Sequence, residues 1–261
     1  MKVNNLLDKL LFKIKKGYFD LKISNEEIEI FADELAKNNG RDINKPYFDI
    51  DAYIEFELGL PLLYKKLSAD SKNLGMTILV PGNVRVFEDN VEKYENFDTR
   101  GTIIIDVEAC KSEKRERFTK AHELGHYYFD LPRYSNPNNK ELIDNIECEI
   151  DENNDSNDIS WEERRANKFA SCILMPRCIF KYDFENYLEK TFYITRNISN
   201  YKKGVNLNYM ISDDRERTIE YFCNRYGVSR DALINRLISF NFIDGVLYNC
   251  PEIRNNKKFE F

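Results

Sequence analysis

The chain contains two histidines, and both fall in one short window, Ala121-His122-Glu123-Leu124-Gly125-His126. On a helix, residues i and i+4 lie one above the other on the same face, so two imidazoles at this spacing can point at one ion about 2.0 Å from each nitrogen. His122 and His126 therefore read as two ligands of a metal. Glu123 is turned about 100° from His122 around the helix axis, within reach of a water on the metal and badly placed to bind the metal itself. That geometry suits a general base, and H-E-x-x-H is a zinc-peptidase spacing for this reason. Gly125 sits between the ligands, where it costs roughly 1 kcal/mol relative to Ala in a helix interior. Its presence predicts that another backbone or a substrate passes close by. The competing reading of the window is a solvated surface patch or a pair of hydrogen-bonded core imidazoles.

A catalytic zinc site needs three protein ligands and one open position. With no histidine left in the chain, the third must be a carboxylate or a thiolate, which excludes a three-histidine site. The next strongly helical stretch opens at Ser160-Trp161-Glu162-Glu163 and runs to Pro176. Ala166, Phe169, Ala170, Ile173 and Leu174 form its apolar stripe, and Glu163 extends that stripe one turn toward the N-terminus. A carboxylate on the buried side of a helix needs a partner, and zinc would supply it. A local explanation competes, because Ser160 followed three residues later by Glu163 is a capping box in which the carboxylate bonds the backbone of the cap. Glu162 also borders the stripe through Ala166 and is then the rival ligand; spacing alone leaves the two even. Cys172 lies about 13.5 Å beyond Glu163 along the helix and cannot share a zinc with it.

The run Arg117-Phe118-Thr119-Lys120-Ala121-His122-Glu123-Leu124-Gly125-His126, followed by Glu163-x-x-Ala166-Asn167-x-Phe169-Ala170-x-x-Ile173-Leu174-Met175-Pro176, resembles the ImmA/IrrE family of zinc metallopeptidases. In that family the glutamate three residues before the Ala-Asn pair is the third metal ligand, which implies Glu163 over Glu162. Weaker similarity lies upstream in Ile28 to Gly40, Phe48-Asp49-Ile50, Leu58-Gly59-Leu60, Gly75-Met76-Thr77 and Thr102 to Asp106, and downstream in Phe222 to Ser229 with Arg236-Leu237. Residues 1 to about 25 have no counterpart, and the stretch before Glu163 is long and acidic. Zinc held by His122, His126 and Glu163 would lower the pKa of its water from 15.7 toward about 7, with Glu123 taking the proton and returning it to the leaving amine. Asn167, one turn beyond Glu163, is a candidate to orient a ligand. Tyr127 and Tyr128 are candidate donors to the oxyanion. Because neutral imidazoles bind metal, zinc affinity and activity are expected to fall as pH drops through about 6.5.

Substrate identity follows from the resemblance alone. It implies site-specific cleavage of a helix-turn-helix transcriptional repressor, relieving repression in stress, phage or mobile-element regulation. The alternative is a zinc-containing regulatory protein that grips a repressor or DNA without proteolysis.

The elements that must position these residues can be placed coarsely. Asn25 to Asn38 reads as an amphipathic helix ended by Gly40, and Ile50 to Glu57 as a short helix. Strands are expected at Leu62 to Lys65, Met76 to Val80, Asn83 to Phe87 and Gly101 to Val107, with Pro81-Gly82 as the turn between the middle two. Helices dominate from Glu113 onward. This order predicts an α+β fold, a small β-sheet packed on the metal helix in a gluzincin-like core with a mostly helical C-terminal region. The expected organisation is an N-terminal extension (1–25), a metallopeptidase domain (26–185) with an acidic loop (135–159), and a helical C-terminal region (186–261).

Between Ser135 and Ser160 eight acidic residues face one basic residue, as in a solvated loop; a lid or docking surface for a basic partner is the sharper alternative. Asp213 to Tyr226 and Arg230 to Phe240 have the outline of a helix-turn-helix joined at Gly227 and capped by Ser229. Five arginines there are offset by five acidic residues, and the chain carries a net charge of −6, so direct DNA binding is not expected. Charges at Asp8, Lys9 and Lys13 interrupt the apolar opening, unlike a secretory signal, and no run approaches the eighteen or so apolar residues of a membrane span. The amphipathic N-terminal pattern reads as a helix packed on its own domain rather than on a membrane. Six cysteines are scattered without a C-x-x-C pair, as expected for free thiols, and the localisation is read as cytoplasmic.

Overall fold

The computed structural model describes residues 10, 12, 14, 23–135, 160–192, 207 and 212–243. Nearly all of the acidic loop, most of the N-terminal extension and the tail lie outside the described residues. Contacts divide the chain into two units, Met1–Leu35 with Asp49–Ile173, and Ala36–Phe48 with Leu174–Phe261.

Helix α1 (Asn25–Asn38) begins at a capping box: Ser24 Oγ accepts from the Glu27 N–H at 3.2 Å, and the Glu27 carboxylate accepts from the Ser24 N–H at 2.8 Å. After it, Gly40 adopts a left-handed φ of +64°, as the sequence predicts for the helix stop. The short helix expected at Ile50 to Glu57 is α2 (Ile50–Ala52) running on into a π turn over Tyr53–Glu57.

The sheet of the first unit has strand order β1-β5-β2, from β1 (Leu62–Tyr64), β2 (Gly75–Thr77) and β5 (Ile103–Ile105). All three isoleucines of β5 are buried, as the central strand of a covered sheet must be. The remaining strands, β3 (Gly82–Glu88) and β4 (Val91–Phe97), form a separate antiparallel hairpin. Asp89 and Asn90 turn it with φ of 51° and 62°, the double left-handed conformation of a type I′ turn. Two expectations are corrected here. Pro81-Gly82 does not join paired neighbours, because β2 pairs with β5 and β3 pairs with β4. Strand β4 is not expected from its sequence VEKYENF, which carries three charges in seven residues and has its first four residues exposed. The hairpin contributes Val86 and Phe97 to a cluster with Leu67, Ile78 and Ile104.

Short α3 (Val107–Cys110) leads into the long helix α4 (Glu113–Phe129), which starts at Ser112, whose side chain accepts from the Arg115 N–H. One face of α4 lies on the sheet. Buried Lys120 bonds Asp51 at 2.8 Å, Glu116 at 2.7 Å and the Tyr64 hydroxyl at 3.1 Å, tying α2 and β1 to that helix. On another face, Phe129 and Tyr128 meet Phe31 of α1 and Phe169 of α6 (Trp161–Leu174) in edge-to-face contacts. The short α5 (Leu131–Tyr134) follows α4 directly. The stripe Ala166, Phe169, Ala170, Ile173 and Leu174 is buried throughout, as predicted.

The second unit contains α7 (Arg177–Phe192), α8 (Ser212–Tyr226) and α9 (Arg230–Ser239), with Ser229 capping α9 as expected. Phe180, Phe184, Phe222 and Tyr226 form its aromatic core. The five arginines of this helical pair are committed within the unit. Arg236 is buried and donates to the Met175 carbonyl, Arg225 pairs with Asp183, Arg217 with Asp214, Arg230 with Glu216, and Arg215 is buried beside Glu216. No helix among the described residues is long and apolar enough to cross a membrane. The architecture is α+β.

Candidate metal centre

Helix α4 carries His122 and His126 one turn apart, with their Nε2 atoms 3.0 Å from each other. Helix α6 brings in Glu163, whose carboxylate oxygens lie 3.2 Å from His122 Nε2 and 3.4 Å from His126 Nε2. One donor atom from each of the three side chains lies within 4.8 Å of the others, close enough for all three to reach a single ion. Among the described residues this is the one group of His, Cys, Asp and Glu that converges as a metal site. Two imidazoles and one carboxylate are a donor set that suits zinc.

The two glutamates that spacing left even are separated by geometry. Ser160 Oγ does accept from the Glu163 N–H at 3.2 Å, but the Glu163 carboxylate turns to the histidines. Glu162 instead accepts from Arg133 at 3.0 Å.

Each imidazole is oriented by its other nitrogen. His122 Nδ1 donates to Asn167 Oδ1 at 3.1 Å, which leaves Nε2 as the lone-pair nitrogen facing the site. His126 Nδ1 donates to Asp130 Oδ2 at 2.7 Å. Asp130 is buried, and it is held in turn by Arg133 at 3.2 Å and by a short contact with buried Arg165. Asn167 was legible as one turn beyond Glu163. Asp130 was missed, although its i+4 spacing from His126 on the same helix face is the signal that reveals it.

Burial lowers the proton affinity of His126, but the hydrogen bonds to Asp130 and Glu163 prevail and raise its pKa to about 10 in the metal-free protein. Proton competition with a metal therefore begins well above the value near 6.5 expected from a free imidazole. The hydrogen bonds to His122 and His126 hold the Glu163 carboxyl well below the usual range, so it is ionised and ready to bind a cation. Glu123 is buried, and that burial raises its pKa against the opposing pull of His126, His122 and Thr77. A carboxylate raised in this way is a better proton acceptor near neutral pH.

Glu123 projects toward the sheet, where Thr77 Oγ1 lies 2.9 Å from its Oε2 and 2.8 Å from its main-chain carbonyl. The sequence placed Thr77 in an expected strand and in a family-like segment, but nothing in it linked Thr77 to Glu123. Gly125 meets its expectation of a close backbone: a Cβ there would stand 3.0 Å from Ala166 Cα on α6. The two tyrosines go separate ways. The Tyr128 hydroxyl shares a 2.5 Å hydrogen bond with that of Tyr53, about 200° around the helix from His126, so it faces away from the ligands. Tyr127 lies one turn beyond Glu123 with its ring against Gly101 and near Leu60.

Residues 82–237, more than half of the chain and inclusive of every residue just described except Leu60, Tyr53 and Thr77, match the peptidase family described as the IrrE N-terminal-like domain. No curated protein and no solved structure matches at a significant level. A metallopeptidase-type function and a bound metal go with that family and with the three converging side chains. The chain belongs to the IrrE N-terminal-like family of peptidases.

Proposed function

We propose that the protein is a zinc-dependent, site-specific peptidase that cleaves a helix-turn-helix transcriptional repressor and so relieves repression. The observation that carries the enzymatic part is the convergence of His122, His126 and Glu163 with the buried carboxylate of Glu123 beside them. Zinc, when bound, supplies an acidified water and polarises the scissile carbonyl. Glu123 would accept a proton from the attacking water and return it to the leaving amine. His122 and His126 are kept in the metal-binding tautomer by Asn167 and Asp130. Tyr127 is the remaining side-chain candidate for the oxyanion, since Tyr128 is committed to Tyr53.

The sheet supports a peptide substrate. Leu74 and Ile78 direct their backbone groups at β5, through Asp106 N–H to Leu74 O and Ile78 N–H to Thr102 O. In the antiparallel alternation, Gly75 and Thr77 then turn theirs to the outer edge, and among the described residues no strand pairs with it. An extended substrate segment adds to that edge beside Glu123.

The repressor assignment rests on the family resemblance. It is tested by intact-mass spectrometry of the zinc-loaded protein incubated with the repressor-like protein encoded nearest to it, beside Glu123→Gln. A single defined cut made only by the unmodified protein supports the reading. Stable complex formation by both proteins without a cut favours a regulatory binding protein.

A further inference from the structure

We propose that Thr77 is a positioning residue for Glu123, and that β2 is the seat that fixes where the Glu123 carboxylate stands. The inference rests on Glu123 being the general base. Its grounds are steric and hydrogen-bonding together. Glu123 is surrounded on the sheet side by two β2 residues with complementary parts. At Gly75, a side chain would put Cβ 2.7 Å from Thr119 Cγ2 and 3.0 Å from both Cγ and Oε1 of Glu123, so a residue without a side chain is needed for the glutamate to lie down there. Two residues on, on the same face of the strand, the Thr77 hydroxyl reaches Glu123 Oε2 at 2.9 Å and the Glu123 carbonyl at 2.8 Å.

The hydroxyl is buried with its residue and has one proton. Donated to Oε2, that proton fixes one carboxylate oxygen and leaves Oε1 as the acceptor for a proton from water. The Glu123 carbonyl oxygen, 2.8 Å from the same hydroxyl, shares that proton in a three-centre bond, so one donor holds the side chain of Glu123 against its own main chain. A long carboxylate side chain loses rotamer freedom when it is held for reaction. Here the restriction is built into a rigid sheet strand paired along its whole length with β5. Sites on such elements hold their geometry better than sites on loops.

The test compares zinc-loaded wild type, Glu123→Gln, Thr77→Val, Thr77→Ser and Gly75→Ala. Zinc affinity is read by chelator competition, and binding of acetohydroxamate by calorimetry. Acetohydroxamate chelates an open zinc site and shares its hydroxyl proton with the neighbouring base, so its affinity reports where the carboxylate stands without requiring a protein substrate. Zinc affinity should stay within threefold of wild type in all five proteins. Acetohydroxamate binding should weaken 10- to 100-fold in Glu123→Gln and about tenfold or more in Thr77→Val and Gly75→Ala, the range for removing an outer partner of a metal site. Thr77→Ser should recover to within threefold, a rescue that simple loss of core packing would not produce. If Thr77→Val does not fold, Thr77→Ala against Thr77→Ser makes the same comparison. Wild-type acetohydroxamate affinity in Thr77→Val or Thr77→Ala, with Glu123→Gln impaired, overturns the role of Thr77 alone. Wild-type affinity in Glu123→Gln overturns the placement of the base itself, and with it the enzymatic reading.

Discussion

Replacing Gly125 by Ala should separate zinc binding from folding. The new Cβ would stand 3.0 Å from Ala166 Cα, 3.3 Å from Ala166 Cβ and 3.4 Å from its carbonyl oxygen. Carbon atoms prefer about 3.5–4.0 Å, so α4 and α6 must part by roughly 0.5 Å or more. Overpacking of this kind costs about 1–3 kcal/mol, and the Gly to Ala gain in helix propensity offsets about 1 of it. The metal-free protein should thus lose no more than about 2 kcal/mol and remain folded. Glu163 rides on α6 only three residues before Ala166, and zinc sites tolerate distance errors of about 0.2 Å, less than half of the imposed shift. Zinc affinity should fall at least tenfold, about 1.4 kcal/mol. Adding Ala166→Gly removes the contact at 3.3 Å but leaves the one at 3.0 Å, so recovery should be partial. Affinity is measured by competition with a chromophoric chelator, and stability by urea unfolding in EDTA. Zinc binding within threefold of wild type in a folded Gly125→Ala protein would refute the claim that the close approach of these helices sets the metal geometry.

Proton linkage gives a second outcome. The folded-state pKa of His126, about 10, lies above the unfolded value of about 6.5, so its contribution to metal-free stability is fully present below pH about 6.5 and lost as pH rises toward 10. Zinc must displace that proton, so calorimetry at pH 8 in buffers of different ionisation enthalpy should show release of about one proton, and less in Asp130→Asn; no release from wild type would contradict the assignment. The neighbouring glutamates should separate cleanly. Glu163→Gln should weaken zinc at least tenfold, whereas Glu162→Gln removes only a half-exposed contact with Arg133 and should stay within threefold. Equal losses in both would reopen the choice of ligand.

What the sequence revealed and what it hid follow from the range over which each feature is encoded. The helices carry their own punctuation: Ser24 with Glu27, Ser112, Ser160 and Ser229 at the starts, and Gly40 and Gly227 at left-handed stops. Same-face spacing placed His122, His126, Glu163 and Asn167 because each relation lies within one helix. The bridge between the helices is tertiary, and spacing could not tell Glu163 from Glu162 until Arg133 was seen to occupy the latter. Strand β4 hid behind its charges, and its Asp89-Asn90 turn lacks the glycine that usually marks a type I′ hairpin. The link between Thr77 and Glu123 could not be read, since 46 residues separate them and only the packing of the metal helix on the sheet brings them together.

The ion pair between Arg133 and Glu162 has a topological consequence. Its 3.0 Å contact joins side chains that flank residues 136–159, so the chain departs from and returns to one clasped point beside the metal helices. Closure entropy grows slowly with length, each doubling of such an excursion costing about 0.6 kcal/mol. Segments of very different size could therefore be exchanged between these two clasped residues while the ligands stay in register.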